Sequence, residues 1–494
     1  MQAQVERAKT LAAAGRLDEA LDLLTPLTEQ ADAPWQALSV QADLLKRAGR
    51  LADSAAMSRR LVAVRPQSVP ARHNLASTLG DLGQAAEAEA VCRQAMTLGG
   101  DAPETWLVLG RALQAQSRFE EADDAYRQAL ARRPGYDEAL RDLSQLIWMR
   151  DADLAAAIAP LDAAIAAAPG ASGPRLTKAR LLEYAGDVEQ AYRVLTDGPL
   201  DGPGELAAAQ ACLSLDPHRA LDHARRAATL AGRPVPAIMV TQAECLLALG
   251  QAEAALVPIE ALRALDPLNQ HVLAHQATAW RMLGDARYQR LYDYDAFVRP
   301  YRLEAPQGWA TLEAYLVDLA RALNGLHTLK THPVGQSLRG GSQTAASLAQ
   351  SGDPAIRAFF SAINAPIRAY MTALGQGDDP LRARNTGRYR IKGSWSVRLR
   401  PHGFHADHVH SDGWLSSACH IELPEAVQGQ GEAQAREGWL RFGAPPGLPQ
   451  LEAQHQVQPQ PGTLVLFPSY MWHGTQPFGG EASRLTLAFD VVPD

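Results

Sequence analysis

The chain has 494 residues, a formal net charge of −7 and 20% charged residues. A chain of this length is expected to form two or three domains, and its negative charge argues against general nucleic-acid binding, which depends on clustered Lys and Arg. The N-terminus lacks a signal-peptide pattern and the chain has no apolar run of about 18 residues, so we expect a cytoplasmic protein with no membrane contact. The four cysteines lack CxxC spacing, so we expect neither a zinc cluster nor a disulfide.

The first three-fifths of the chain repeats a pattern of two short amphipathic helices. In the clearest unit, Pro103 to Tyr136, apolar and small residues recur at helical spacing on one face of each helix. These positions are Trp106, Leu109, Gly110 and Leu113 in the first helix, and Phe119, Ala122, Tyr126 and Ala129 in the second. Pro236 to Asn269 repeats the pattern. These are tetratricopeptide positions at a period of about 34 residues, and residues 1–303 are predicted to form an all-α solenoid of about nine repeats.

Solenoids of this kind present a concave groove that binds peptides or proteins. We therefore expect a protein or peptide partner for the array. The alternative is a purely structural or dimerising role, and no individual residue of the array decides between them.

Residues 304–385 are predicted to form a helical connector. Apolar periodicity indicates helices at Trp309 to Leu329 and at Pro354 to Leu374. Between them, the polar stretch Gly335 to Gln350 is rich in Gly, Ser and Gln, which is typical of a loop. Such a loop could cover a site or be disordered.

From residue 386 to the end, helical periodicity gives way to short β-type runs separated by Gly and Pro. The predicted strands are Tyr389 to Arg400, Leu415 to Leu423, Gly438 to Phe442, Gly462 to Phe467 and Ser483 to Val492. Many short strands in about 110 residues favour a jelly-roll or cupin-like barrel.

Candidate metal ligands cluster before the second of these strands. In an extended segment, alternate side chains share a face, so His408 and His410 point one way while His405 and Asp407 point the other. Two ligands at positions i and i+2, together with the distant His473, would leave coordination positions free for oxygen and a bidentate co-substrate on non-haem iron. Parity alone leaves both pairs open, since a register slip of one residue reverses the faces.

The last strand carries a candidate anion site. Arg484 and Thr486 share one face, with Leu485 and Leu487 opposite. A buried arginine beside a hydroxyl is suited to binding a carboxylate.

Taken together, three motifs resemble a known family. They are His408-Val-His-Ser-Asp-Gly-Trp-Leu-Ser416, Pro461-Gly-Thr-Leu-Val-Leu-Phe-Pro-Ser469 with His473, and Arg484-Leu-Thr-Leu-Ala-Phe489. The chain from about residue 290 onward resembles bacterial 2-oxoglutarate and iron(II) dependent oxygenases, of the prolyl and aspartyl hydroxylase type, that often follow tetratricopeptide repeats.

The resemblance implies a double-stranded β-helix with Fe(II) held by His408 and His473. It implies that Arg484 binds 2-oxoglutarate with help from Thr486, and His420 occupies a position where the family often has an aromatic near the co-substrate. The spacing to Trp414 favours His410 as third ligand; the alternatives are the pair His405 and Asp407, or two histidines alone.

We therefore expect an oxygenase that uses Fe(II), 2-oxoglutarate and O2, most simply a hydroxylase acting on a protein or peptide side chain brought by the array. Two other functions stay open: a repeat scaffold with an inactive cupin-like domain, and a hydroxylase of a small molecule. The sequence does not determine the substrate, the stereochemistry or the oligomeric state. It also does not determine whether halogenation or desaturation replaces hydroxylation.

Overall fold

The computed structural model describes residues 1–345, 347–428 and 436–494. The chain divides into two compact units, one formed by Met1–Ile147 with Ala159–Ala168, the other by Trp148–Ile158 with Pro169–Asp494. The predicted division at residues 303 and 385 stays a prediction. No helix in the described ranges has the length and apolar character needed to span a bilayer.

The first unit is helical. Its helices are α1 (Gln2–Ala13), α2 (Leu17–Thr28), α3 (Trp35–Arg47), α4 (Leu51–Val64), α5 (Val69–Asp81), α6 (Ala85–Thr97), α7 (Pro103–Ala115) and α8 (Phe119–Arg132). Helices α9 (Asp137–Asp151) and α10 (Leu154–Ala167) have residues in both units.

Small residues allow the helices of a repeat to approach closely. A Cβ atom added to Gly110 would lie 2.5 Å from the Tyr126 ring, and Ala122 and Ala129 are fully buried. The sequence pattern predicted this close approach, and the helical solenoid of paired helices is confirmed.

The second unit begins with helices of the same kind. They are α11 (Ser172–Ala185), α12 (Val188–Thr196), α13 (Gly202–Cys212), α14 (Pro217–Ala231), α15 (Pro236–Ala248), α16 (Ala252–Leu265) and α17 (Gln270–Leu283). The remaining helices are α18 (Arg287–Leu291), α19 (Tyr294–Phe297), α20 (Leu312–Asn324), α21 (Pro354–Ala362), α22 (Asn364–Leu374) and α23 (Glu425–Gln428), with 3₁₀ turns at Leu348–Gln350 and Arg382–Arg384.

Nine described strands form two antiparallel sheets. The strands are β1 (Arg299–Arg302), β2 (Leu338–Gln343), β3 (Tyr389–His405), β4 (Leu415–Glu422), β5 (Leu440–Phe442), β6 (His455–Val457), β7 (Thr463–Pro468), β8 (His473–Thr475) and β9 (Arg484–Pro493). The larger sheet has the order β1-β7-β4-β9-β3-β2, and the smaller one has the order β6-β5-β8. The predicted C-terminal β-region is thereby confirmed as antiparallel sheet.

One hydrophobic core joins the sheets to the end of the helical array. It contains Leu273 and Ala277 of α17, Tyr315 of α20, and Leu464 and Leu487 of the larger sheet. The last repeat is therefore packed as part of the domain that carries the β-strands.

The prediction of a loop from Gly335 to Gln350 is wrong in part, because β2 lies within this range and pairs with β3. The run lacks β-branched and aromatic residues, so only tertiary pairing identifies it as a strand. A Cβ on Gly341 would lie 2.5 Å from the Arg398 carbonyl oxygen, which explains a glycine here. Ala346, in the same predicted loop, lies outside the described residues.

The predicted helix from Pro354 to Leu374 is two helices, α21 and α22, which meet at Ile363. Pro366 has no N–H and its ring conflicts with the carbonyl four residues earlier, so a continuous helix is disfavoured there. The connector thus contains a strand and a broken helix in addition to α20.

Candidate functional site

The three histidines predicted as metal ligands come from two neighbouring segments. His408 and His410 lie in the irregular segment between β3 and β4, and His473 begins β8. The His408 N–H donates to the His473 carbonyl at 2.9 Å, and the His473 N–H donates back at 3.0 Å. This single β-bridge brings the two segments together.

Each of these imidazoles is oriented through its Nδ1 atom. His408 Nδ1 lies 2.9 Å from the Ala406 carbonyl oxygen, and His473 Nδ1 lies 2.9 Å from the Met471 carbonyl oxygen. Because a carbonyl oxygen can only accept, both Nδ1 atoms carry hydrogen. Their Nε2 atoms therefore present lone pairs.

The nitrogen lone pairs converge. His408 Nε2 lies 3.1 Å from His410 Nε2, and one ring nitrogen from each of the three histidines lies within 4.8 Å of the others. Neutral imidazoles arranged around one point are a metal-binding donor set. The structure thus brings together His408, His410 and His473.

His410 is held by a carboxylate. Its Nδ1 atom lies 2.6 Å from Asp490 Oδ1, and the same oxygen accepts a 2.8 Å hydrogen bond from Ser416 Oγ. Ser416 Oγ also lies 2.9 Å from Ser469 Oγ. A carboxylate behind a histidine fixes the ring and raises its basicity toward a metal.

The alternative ligand pair has other partners. Asp407 forms a two-point ion pair with Arg441, with distances of 2.9 and 2.5 Å. His405 Nδ1 lies 3.0 Å from Ser337 Oγ. Both residues line the same cavity, but neither belongs to the cluster of converging donors.

Arg484 is a buried cation with no carboxylate beside it in the part of the chain that the structure describes. Its side chain is 2% exposed, Nη1 donates to the Gly438 carbonyl at 2.5 Å and Nη2 lies 3.3 Å from His420 Nδ1. Since the guanidinium can only donate, His420 accepts through Nδ1 and carries its hydrogen on Nε2. Within the described ranges, Arg484 Nε and His420 Nε2 are buried donors with no acceptor.

Such donors are costly to bury unpaired, and a carboxylate ligand would satisfy them. Thr486 lies two residues along β9, and it lines the same cavity as Arg484 and the three clustered histidines. The cavity has a volume of about 640 Å³. It is large enough to hold a small dicarboxylate together with part of a substrate.

Burial favours the neutral form of His408, His473 and His420. It lowers the pKa of His408 to about 3 and holds the pKa of His473 and of His420 well below the usual range, with nearby imidazoles or Arg484 acting in the same direction. Burial also lowers the pKa of Arg484 to about 10, so the guanidinium remains charged at neutral pH. Neutral imidazole beside a fixed cation suits the binding of a metal and an anionic ligand.

Comparison with known families agrees with this geometry. Residues 393–490 match the family described as "Putative 2OG-Fe(II) oxygenase", a range that includes all three clustered histidines and Arg484. Residues 69–98 and 103–136 match the tetratricopeptide repeat. The chain thus contains tetratricopeptide repeats, followed by a C-terminal segment that is similar to this oxygenase family. The family resemblance expected from the sequence motifs is thus confirmed.

Tetratricopeptide repeat proteins are among the solved structures similar to the chain. A tetratricopeptide repeat protein from Parabacteroides merdae is 14% identical and covers 50% of this chain and 98% of its own, with a TM-score of 0.36. A thermophilic repeat protein of Thermus thermophilus is 21% identical and covers 37% of this chain and 98% of its own, with a TM-score of 0.31. No curated protein matches the chain.

Sequence reasoning missed Asp490. The parity argument that paired Arg484 with Thr486 extends along β9 to Ala488 and Asp490, and all four residues line the cavity. An acidic residue on the buried face of a strand, in phase with a candidate anion-binding arginine, was the available signal. Ser416 of β4 and Ser469, which follows β7, end two of the quoted motifs, but a serine at such a position is common without a role and gave no signal of its own.

Proposed function

We propose that this protein is an Fe(II) and 2-oxoglutarate dependent oxygenase that hydroxylates a protein or peptide side chain. One observation carries the proposal: three imidazoles converge in the same cavity as a buried arginine that has no carboxylate partner among the described residues. The donor set fits a divalent metal, and the guanidinium, whose Nε–H has no acceptor among the described residues, fits an anionic co-substrate. Neither the converging imidazoles nor the buried guanidinium stabilises the protein in the absence of a metal and a co-substrate.

In this proposal, His408, His410 and His473 hold the metal. Three neutral ligands leave the full charge of the ion uncompensated, whereas an acidic ligand would cancel part of it. Asp490, which is hydrogen-bonded to His410, supplies a negative charge one bond further out. Three protein ligands leave coordination positions for a bidentate co-substrate and for O2.

Arg484 is proposed to bind the distal carboxylate of 2-oxoglutarate, with Thr486 and His420 beside it. A charge-assisted hydrogen bond from a desolvated guanidinium both positions the ligand and satisfies the buried charge. When bound, iron with 2-oxoglutarate and O2 supplies the oxidation, which yields succinate, CO2 and a hydroxylated C–H position. The protein's own residues orient the ligands and keep water away from them.

We also propose that the two sheets form a double-stranded β-helix, with the oxygenase core at residues 386–494, the connector at 304–385 and the array at 1–303. The antiparallel pairing throughout both sheets supports this architecture. The four cysteines are unpaired and buried, which supports a reducing, cytoplasmic location.

The substrate class is inferred from the surroundings of the cavity. Tyr184 of α11, a helix of the array, lines the cavity, and the Arg339 guanidinium lies 4.7 Å from the centre of its ring. Tetratricopeptide repeats typically mediate protein interactions. A chain bound along the array could therefore extend a side chain past Tyr184 toward the histidines.

The test is 2-oxoglutarate turnover with fractionated cell extract. Full-length protein with Fe(II) is expected to form succinate faster when the protein and peptide fraction is added, and one product is expected to gain the mass of an oxygen atom. The matched variant Arg484→Gln should show neither effect.

Stimulation by the small-molecule fraction alone would instead favour a metabolite hydroxylase. If no fraction and no concentration of 2-oxoglutarate yields succinate from folded, iron-loaded protein, the oxygenase proposal fails. A scaffold with an inactive barrel would then account for the chain.

A further inference from the structure

A second group of metal-type side chains lies on the array, apart from the candidate iron site. Glu244 belongs to α15, while His271 and His275 belong to α17. The two histidines are four residues apart, so they occupy one face of their helix on successive turns. Their rings are 4.5 Å apart between centroids.

The donor atoms converge as closely as in the first cluster. His275 Nε2 lies 3.1 Å from His271 Nε2 and 3.2 Å from Glu244 Oε1, and His271 Nε2 lies 3.9 Å from the same oxygen. Ligand atoms at 2.0–2.2 Å from a tetrahedral zinc ion are separated from one another by about 3.3 to 3.6 Å. The distances are thus close to those that surround an ion.

Hydrogen bonds alone cannot make all three of these contacts favourable. His275 Nε2 carries either one hydrogen or one lone pair. With a hydrogen, it must share that hydrogen between two acceptors; with a lone pair, it faces the carboxylate oxygen of Glu244 with nothing between them. A cation at the centre makes all three contacts attractive.

We propose that Glu244, His271 and His275 bind a divalent transition-metal ion, with Zn²⁺ as the best match. Two imidazoles and one carboxylate are ligands that zinc accepts, and they leave a fourth position for water. The side chains of Glu244 and His271 are 25% and 35% exposed, so an ion can enter from solvent, whereas that of His275 is 7% exposed.

The role assigned to this ion is structural. It would connect two successive repeats of the array, α15 and α17. Trp472 packs edge-on against both imidazoles, with ring centroids 5.9 and 5.4 Å away, and its Nε1–H donates to Thr278 Oγ1 at 3.0 Å. Since Trp472 directly precedes His473, the ion would stabilise the packing of the array against the segment that carries a proposed iron ligand.

The experiment uses the full-length chain with His408→Ala and His410→Ala, so that the candidate iron site cannot contribute. After treatment with a chelator, Zn²⁺ is titrated against a competing indicator, and bound metal is counted by elemental analysis. We expect a single Zn²⁺ to bind and to raise the thermal unfolding midpoint, because an ion that binds only the folded state stabilises it by mass action.

In that background, Glu244→Gln or His271→Asn should weaken Zn²⁺ binding by at least about tenfold, since even outer partners of a metal contribute that much. His218→Asn, at an exposed histidine of α14, is the matched control and should change nothing. Circular dichroism verifies that each variant is folded.

Two results would overturn the inference. One is a folded background protein that binds no Zn²⁺. The other is Zn²⁺ binding that survives both Glu244→Gln and His271→Asn. Neither result bears on the oxygenase proposal, which concerns the ligands removed in the background.

Discussion

The two histidine clusters share a distance and differ in their surroundings. Nε2 atoms lie 3.1 Å apart both in the pair His408 and His410 and in the pair His271 and His275. Among the described residues, the first pair borders a cavity that also contains Arg484, a buried arginine whose Nε–H has no acceptor. The second pair has a carboxylate at 3.2 Å and lies between helices of the array.

A set of metal-binding donor atoms indicates a metal site, but it does not by itself indicate that the site is catalytic. A catalytic site also needs free coordination positions, a place for the co-substrate and a cavity for the substrate. A structural site needs only ligands on two elements that the ion can connect.

Removal of a metal ligand should have the largest effect. His410→Ala is expected to reduce 2-oxoglutarate turnover at least about a thousandfold, or about 4 kcal/mol of transition-state stabilisation. Asp407→Asn should keep Fe(II) affinity within about threefold, because Asp407 is paired with Arg441 rather than aimed at the cluster. Steady-state turnover and Fe(II) titration measure the two effects. If Asp407→Asn loses iron and His410→Ala retains it, the third ligand is assigned wrongly.

Next in size is the loss of the co-substrate cation. Arg484→Gln should weaken 2-oxoglutarate binding by about 10- to 100-fold, the equivalent of one or two charge-assisted hydrogen bonds. Fe(II) affinity should change little. Arg400→Gln, on the exposed part of β3, serves as the matched control. Isothermal titration with both ligands separates the two affinities, and equal losses in both would argue against a dedicated carboxylate site.

A smaller change is expected at Asp490. Asp490→Asn keeps an oxygen that can accept from His410 but removes the negative charge, so we expect about a tenfold loss of Fe(II) affinity. The affinity for 2-oxoglutarate, measured at saturating Fe(II), should stay the same. An unchanged Fe(II) affinity would mean that the carboxylate only orients the ring.

The smallest effect concerns a buried histidine that needs no metal. His327 lies 2.9 Å from Ser342 Oγ and 3.1 Å from Ser396 Oγ, and burial lowers its pKa to about 4. Between pH 6.5 and 4 the unfolded chain takes up a proton that the folded chain does not, so stability falls as the pH falls. The contribution is at most about 1.4 kcal/mol per pH unit.

The variant His327→Gln should therefore show a shallower loss of stability over this pH window than the wild type. Denaturant unfolding of metal-free protein at pH 6.5 and 5.5 gives the slopes. Identical slopes would show that His327 takes up its proton equally well in the folded protein.

The sequence alone predicted the helical array, the β-rich C-terminus and the oxygenase family, because each depends on local patterns or short motifs. The five predicted strands match β3, β4, β5, β7 and β9 to within a few residues, apart from the C-terminal five residues of β3. The short strands β1, β2, β6 and β8 were missed. Their pairing depends on partners distant in the chain, which single-sequence patterns do not encode.

For the candidate site, the sequence predicted which kinds of side chain would bind the metal and the anion. Parity placed His408 with His410 and Arg484 with Thr486, but it could not choose between His410 and Asp407. That choice depends on Arg441, which lies on another strand and pairs with Asp407. Similarly, Glu244 joins His271 and His275 only because two helices of the array pack side by side, so spacing along the chain gives no signal.

We propose that Fe(II) and 2-oxoglutarate bind together at the three histidines and Arg484. Anaerobic titration of the full-length protein with both ligands, followed by visible absorption, tests it most directly. The account predicts a charge-transfer band that requires both ligands, is abolished by His408→Ala and is weakened by Arg484→Gln. Folded wild-type protein that gives no band with both ligands in excess would contradict it.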